Sequence, residues 1–292
     1  MNKEFQNYWR SRLEFLDVHY HVSPDTYIRR HGTIAAGTQY QALKGGVVLK
    51  SHLGDSVASA EAAREIGLPV FGSLVLNAVA GGINWRVVEA SLCKKQAEHS
   101  GRLLVHLPTV TGAQHKSRLN RDYSNYANEV FATASARVSD KSGRLSQDVI
   151  EILHIARDFP VIISTGHASR SETMSLIETA DRYGGVRLML NQPANPMTGL
   201  TANDLRALAG ASWLYIEQTA LTYLLGYQDW HDFSSVLAEI PNVLYSSDLG
   251  QPDQPDIEEW YTRSKTWFDE IGLDNKRRMS ICLETPLAML TP

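Results

Sequence analysis

The chain has 292 residues, 43% hydrophobic and 21% charged, which is enough to bury one large core. Its formal net charge of -4 at pH 7 lacks the basic footprint that neutralises phosphates, so no nucleic-acid partner is expected. No apolar run reaches the roughly 18 residues of a membrane span, and the opening MNKEFQNYWRSR lacks a signal peptide's apolar core, so a soluble, cytoplasmic protein with no membrane partner is expected.

In chain order, eight short β-rich runs end in polar residues: 15–22, 46–52, 69–77, 103–109, 160–167, 186–193, 212–219 and 242–249. Most are near-continuous apolar stretches such as GVVLK and PVIIS, the pattern of parallel strands covered on both faces. Helix signals lie between them. Ser169 and Glu172 form an S-x-x-E capping box and Gly184 offers a left-handed stop, while SVASAEAAREIG ends at Gly67 and SQDVIEILHIARDFP ends at Pro160. Strand ends recur at roughly 25 to 32 residues apart from one gap of about 58, and eight such units predict an α/β fold, a single-domain (β/α)8 TIM barrel spanning 1–292. A doubly wound open sheet is disfavoured because no Gly-rich phosphate loop follows the first strand. The long gap, about 110–146, predicts a loop insertion acting as a lid, a binding loop or a subunit contact. Aromatic stretches such as YLLGYQDWHDF and EEWYTRSKTWF are assigned to the core or to a subunit interface, which leaves a homo-oligomer open.

Within the first run, Asp17-Val18-His19-Tyr20-His21 places two imidazoles on one side of one strand, where His19 and His21 can grip one metal ion. Only Cys93 and Cys282 are present, without CxxC spacing, so a metal here relies on nitrogen and oxygen ligands. The other strand ends carry Lys50 and His52, Asn77, His106 and Thr109, His167, Asn191 and Gln192, Glu217, and Asp248. In a barrel of this kind catalytic groups come from the carboxyl ends of several strands, and such a polar rim is costly unless its groups find partners or a ligand. Several of these residues also have a structural reading: a strand-end His as a satisfied hydrogen-bonding group, Asp248 as a turn or cap in SSDLGQPD, Glu217 as a helix N-cap, Asn77 and Thr109 as partners of loop backbone. His31, His99, His115, His154 and His231 fall in predicted loops or helices and are expected at the surface.

DVHYH, STGH and SSD resemble the amidohydrolase superfamily of metal-dependent hydrolases, which carries His-x-His on strand one, a His on strand five and an Asp on strand eight. More narrowly, VVLKSH, FGSLVLNAVAGGIN, LPTV and TGHAS look like a poorly characterised amidohydrolase-related family of bacterial proteins. The resemblance implies His19, His21, His167 and Asp248 as metal ligands. Gln192-Pro193 stands where the superfamily commonly has His-Pro on strand six, and strand four offers His106 rather than a lysine. A carboxamide is a poorer zinc ligand than an imidazole, which favours one metal over two.

The implied activity is hydrolysis of a small carbonyl substrate, a cyclic amide, ester or lactone, by water activated on a divalent ion: zinc, with manganese and iron as alternatives. Asp248 would be ligand and proton acceptor, and Lys50, His52 or His106 would polarise the carbonyl. Asn77, Thr109, Gln192 and Glu217 are the candidate substrate contacts. Two alternatives remain: a metal-dependent non-oxidative decarboxylase, and a catalytically degenerate barrel that binds a ligand.

Overall fold

All eight expected runs form strands: β1 (Phe15–His21), β2 (Gly45–Lys50), β3 (Val70–Val75), β4 (Leu103–His106), β5 (Val161–Ser164), β6 (Leu188–Leu190), β7 (Leu214–Thr219) and β8 (Val243–Ser246). The computed structural model describes residues 4–112 and 117–292, so His115 lies outside the described residues. The strands pair in parallel in sequence order. The ring closes where Asp248 N–H donates to His19 O (2.8 Å) and His21 N–H donates to Leu249 O (2.8 Å). Helices alternate with the strands, giving the single-domain (β/α)8 barrel.

Every strand residue is buried, as continuous apolar runs covered on both faces require. Alternation sorts their side chains. Val48, Leu104, Ile162, Met189, Tyr215 and Leu244 share an apolar layer with Leu16 and Val18, floored by Phe5, Trp9 and Leu287 from the terminal helices Glu4–Arg10 and Thr285–Leu290. Two residues further along, the period of a strand puts Lys50, His106, Ser164, Asn191, Glu217 and Ser246 on the same side, and all six are buried. A polar layer therefore sits directly above the apolar one.

β1 reaches that layer by a different device. Its register against β2 shifts between Asp17 and Tyr20, a bulge that lets Val18 belong to the inner layer and Tyr20 to the outer cluster beside Tyr40. His19 and His21 are thereby turned toward the site. The Asp17 carboxylate holds the irregular backbone, accepting from His19 N–H (3.0 Å), Ser247 N–H (3.0 Å) and the Tyr40 hydroxyl (2.5 Å). One buried side chain thus ties the bulge of β1 to the end of β8.

The helix Arg170–Tyr183 opens with the expected Ser169/Glu172 capping box and stops at Gly184, φ 64°. A second capping box, Thr201/Asp204, opens Ala202–Leu208. Tyr245, Trp260 and Phe268 pack in the outer core, the intramolecular one of the two readings of the aromatic stretches. The segment after β4 contains a short helix, Tyr126–Phe131, and an isolated bridge between Ser139 and Leu145. Among the described residues no helix is long and apolar enough to cross a membrane.

Gly250 shows how tightly β8 is drawn against β1. It adopts φ 116°, and a Cβ there would lie 2.1 Å from the His21 carbonyl oxygen. Gly250→Ala is expected to cost on the order of 1–3 kcal/mol, read as a lowered urea midpoint, because both backbone conformation and space oppose the methyl group. An unchanged midpoint would contradict that packing.

Candidate metal centre

The polar layer converges on one oxygen. His19 Nε2 lies 2.9 Å and His21 Nε2 3.2 Å from Asp248 Oδ1, and all three residues are buried. Asp248 reaches them from a backbone with φ 55°, a conformation that Asp tolerates better than most residues. Behind the ring, His19 Nδ1 lies 2.9 Å from Glu217 Oε1, which also accepts from Ser246 Oγ (2.8 Å), while Glu217 Oε2 accepts from Gln192 N–H (3.1 Å). A carboxylate only accepts, so this contact places one proton on Nδ1, and Nε2, which faces Asp248, either carries a second proton or ligates a cation.

That arrangement calls for a positive charge. A lone pair and a carboxylate oxygen at 2.9 Å repel unless a proton or a cation lies between them. Burial would lower the His19 pKa, but Asp248 and Glu217 outweigh burial and Lys50 and push it up to about 9. Burial would likewise raise Asp248, yet His19 and His21 hold it well below the usual carboxylate range. Lys50 Nζ stands 3.0 Å from His19 Nε2 and 3.4 Å from Asn191 Oδ1, and burial lowers its pKa against the pull of Asp248, Glu217 and Asp25. Two imidazoles and a carboxylate suit a divalent ion such as zinc, and His19, His21 and Asp248 form a group whose ligand atoms all lie within 4.8 Å of one another. The donor set fits a metal.

A second such group, His21, Asp25 and His52, is differently furnished. Asp25 already accepts from Arg29 Nε (2.6 Å) and His52 N–H (2.6 Å), and His52 Nδ1 lies 3.0 Å from its Oδ2. Arg29 NH2 is 3.2 Å from the same imidazole nitrogen, and the His21 and His52 rings stack at 4.6 Å. With a guanidinium already neutralising it, Asp25 serves as an anchor for His52. Sequence reading missed Asp25 and Arg29, whose only signals were a carboxylate four residues after His21 and an arginine four residues after that.

The remaining expected site residues divide. Lys50, His52, Thr109, His167 and Gln192 line, with His21 and Asp248, a cavity of about 290 Å³ at the carboxyl ends of the strands. His167 has no ring hydrogen bond among the described residues, and burial with nearby Lys50 pushes its pKa down to about 3, so it faces the cavity neutral. It belongs to neither group of close ligand atoms.

Three expectations need correction. Asn77 is not free to contact substrate: it donates to His52 O (3.1 Å) and Thr109 Oγ1 (3.0 Å) and accepts from Thr109 N–H (2.8 Å) and Val110 N–H (3.1 Å). Those four bonds use the whole capacity of a carboxamide. Glu217, fully buried, orients His19 and lines no part of the cavity, and the N-cap of the following helix is Thr219. His106 is also fully buried and is not among the residues that line the cavity. Its Nδ1 meets Ser164 Oγ (2.8 Å), and its Nε2 is buried without a partner.

These imidazoles predict an acid-sensitive fold in metal-free protein. His21, His52, His106 and His167 are all lowered, chiefly by burial, so the unfolded chain takes up their protons first as pH falls through about 6.5. Their contribution is present above that pH and lost below it. Asp17, which burial pushes up to about 6, acts in the opposite direction, and His19 loses its contribution only as pH rises toward about 9. The urea midpoint is expected to fall between pH 7.5 and pH 5; a flat or rising midpoint would contradict the burial of these rings.

No curated protein matches the chain. Among solved structures, one match is an amidohydrolase 2 from Bifidobacterium longum subsp. infantis, with 12% sequence identity and a TM-score of 0.45 over 95% of this chain and 98% of that one. A family model described as a family of unknown function (DUF6282) matches residues 14–217, from just before β1 into β7. The chain, His19, His21, His167 and Glu217 included, therefore belongs to the DUF6282 family.

Proposed function

We propose that this protein is a metal-dependent hydrolase of a small carbonyl substrate: a cyclic amide, ester or lactone. The observation that carries the reading is the convergence of His19 Nε2 and His21 Nε2 on Asp248 Oδ1, with Glu217 fixing the far nitrogen of His19. A divalent ion, zinc foremost, bound by His19, His21 and Asp248 would supply a Lewis acid that brings the pKa of water close to neutral.

The chain's own residues do the rest. Asp248, which lines the cavity, takes the proton of the attacking water and delivers it to the leaving group. Lys50 and His52 reach the same cavity from β2 and stabilise charge that develops on the carbonyl oxygen. His167, neutral on the opposite side, accepts a hydrogen bond and helps orient the substrate. Thr109 and Gln192 add polar contacts, and a cavity of about 290 Å³ limits the substrate to a small molecule.

One observation favours the degenerate barrel as a second reading. Lys50 Nζ, 3.0 Å from His19 Nε2, is a basic group already within the electrostatic reach of Asp248. Metal analysis of protein purified without chelator, followed by a panel of lactones, esters and cyclic amides with added zinc or manganese, separates the two. Turnover that rises with metal supports the hydrolase; absence of both bound metal and metal-stimulated turnover supports the binding protein.

A further inference from the structure

The mouth of the cavity carries a positive charge that the chemistry above does not use. Residues 23–32 and 119–125 meet in a short antiparallel pairing, in which Ile28 N–H donates to Asp122 O (3.0 Å), Ser124 N–H donates to Thr26 O (3.0 Å), and Tyr27 bridges Tyr123. This brings Arg121 to the cavity with its guanidinium 5.0 Å from the Tyr27 ring, a cation–π contact. Tyr27 in turn meets His52 edge-on at 5.7 Å.

Arg121 has no carboxylate partner among the described residues, and its Nε is buried without a hydrogen bond. The contrast with Arg29 is informative, since that guanidinium is neutralised by Asp25 at 2.6 Å. A guanidinium stays charged at any physiological pH, and donors withdrawn from water cost free energy until acceptors reach them. Tyr27 orients the group but accepts none of its in-plane N–H bonds. Asp248 is the one carboxylate lining the cavity among the described residues, and His19 and His21 already engage it.

We propose that the substrate bears a carboxylate, received by Arg121 at the cavity mouth, while its reacting carbonyl lies at the inner end beside Asp248 and Lys50. The inner half of this assignment rests on the metal-hydrolase reading; the outer half does not. A carboxylate fits better than a phosphate because the one guanidinium balances its single negative charge, whereas the second charge of a phosphate would go uncompensated there.

Glutarate monoamide presents a carboxylate at one end and an amide carbonyl at the other; glutaramide is its neutral counterpart. Calorimetric titration of the full chain with each, and with inorganic phosphate, is the test, and metal content is measured on the same samples. The wild type is expected to bind the monoamide at least about tenfold more tightly than the diamide. Arg121→Gln removes that preference, and Arg121→Lys, which keeps the charge but not the fork, retains part of it. Equal affinities, no saturable binding of the monoamide, a preference that survives in Arg121→Gln, or tighter Arg121-dependent binding of phosphate would each overturn the proposal. Protein that holds no metal, shows no turnover on added zinc or manganese, and yet keeps the preference would remove the hydrolase reading and leave the carboxylate site standing.

Discussion

Asp248→Asn is expected to abolish stoichiometric zinc binding, lowering affinity by at least about 100-fold, and to remove metal-dependent turnover while the barrel stays folded. The substitution is close to isosteric, and Asn tolerates the φ of 55° found at this position, so the closing hydrogen bond from residue 248 N–H to His19 O can persist. What is lost is the negative charge on which two imidazoles converge. Apart from burial, Asp248 is the largest influence on His19, and it raises the pKa of that ring. In metal-free Asp248→Asn the ring should therefore titrate below the wild-type value of about 9, which proton NMR reads directly. Retention of one equivalent of zinc at wild-type affinity would place the ligands elsewhere.

Glu217→Gln carries the second large effect, and it does so without touching the cavity. Glu217 fixes the His19 tautomer through Nδ1 and is itself held by Ser246 and the Gln192 backbone. A carboxamide in its place loses the charge that strengthens the ligand and can turn its amide group toward the ring. Partners of this kind affect metal affinity by about 10- to 100-fold, so a loss of that size is expected with KM changed little once metal is saturating. A raised KM with undiminished metal affinity would mean that Glu217 contacts substrate after all.

Much of this site could be read from residues alone because strand periodicity is strict. The polar layer lies two residues beyond the apolar layer on β2, β4, β5, β6, β7 and β8, so continuous apolar runs ending in polar residues identified both the barrel and its rim. His19 and His21 do share a face, yet the bulge that turns them inward depends on Asp17 reaching Ser247, 230 positions away. No local pattern reports such a contact. Asn77 and Glu217 show the same limit from the other side: a polar residue at a strand end reads alike whether it faces substrate, a loop or another ligand. Asp25 and Arg29 looked like ordinary charged loop residues, and Arg121 lay unsingled within the 110–146 insertion expected as a lid, a binding loop or a subunit contact; the pairing of residues 23–32 with residues 119–125 is what brings it to the site.

The central claim is that a divalent cation is held between the ends of β1 and β8. Anomalous diffraction at the zinc edge from crystals grown with one equivalent of zinc tests it most directly. A single strong peak bounded by His19, His21 and Asp248 is the expected result. A peak enclosed by His21, Asp25 and His52 instead, or no peak with Lys50 still against His19, would contradict it.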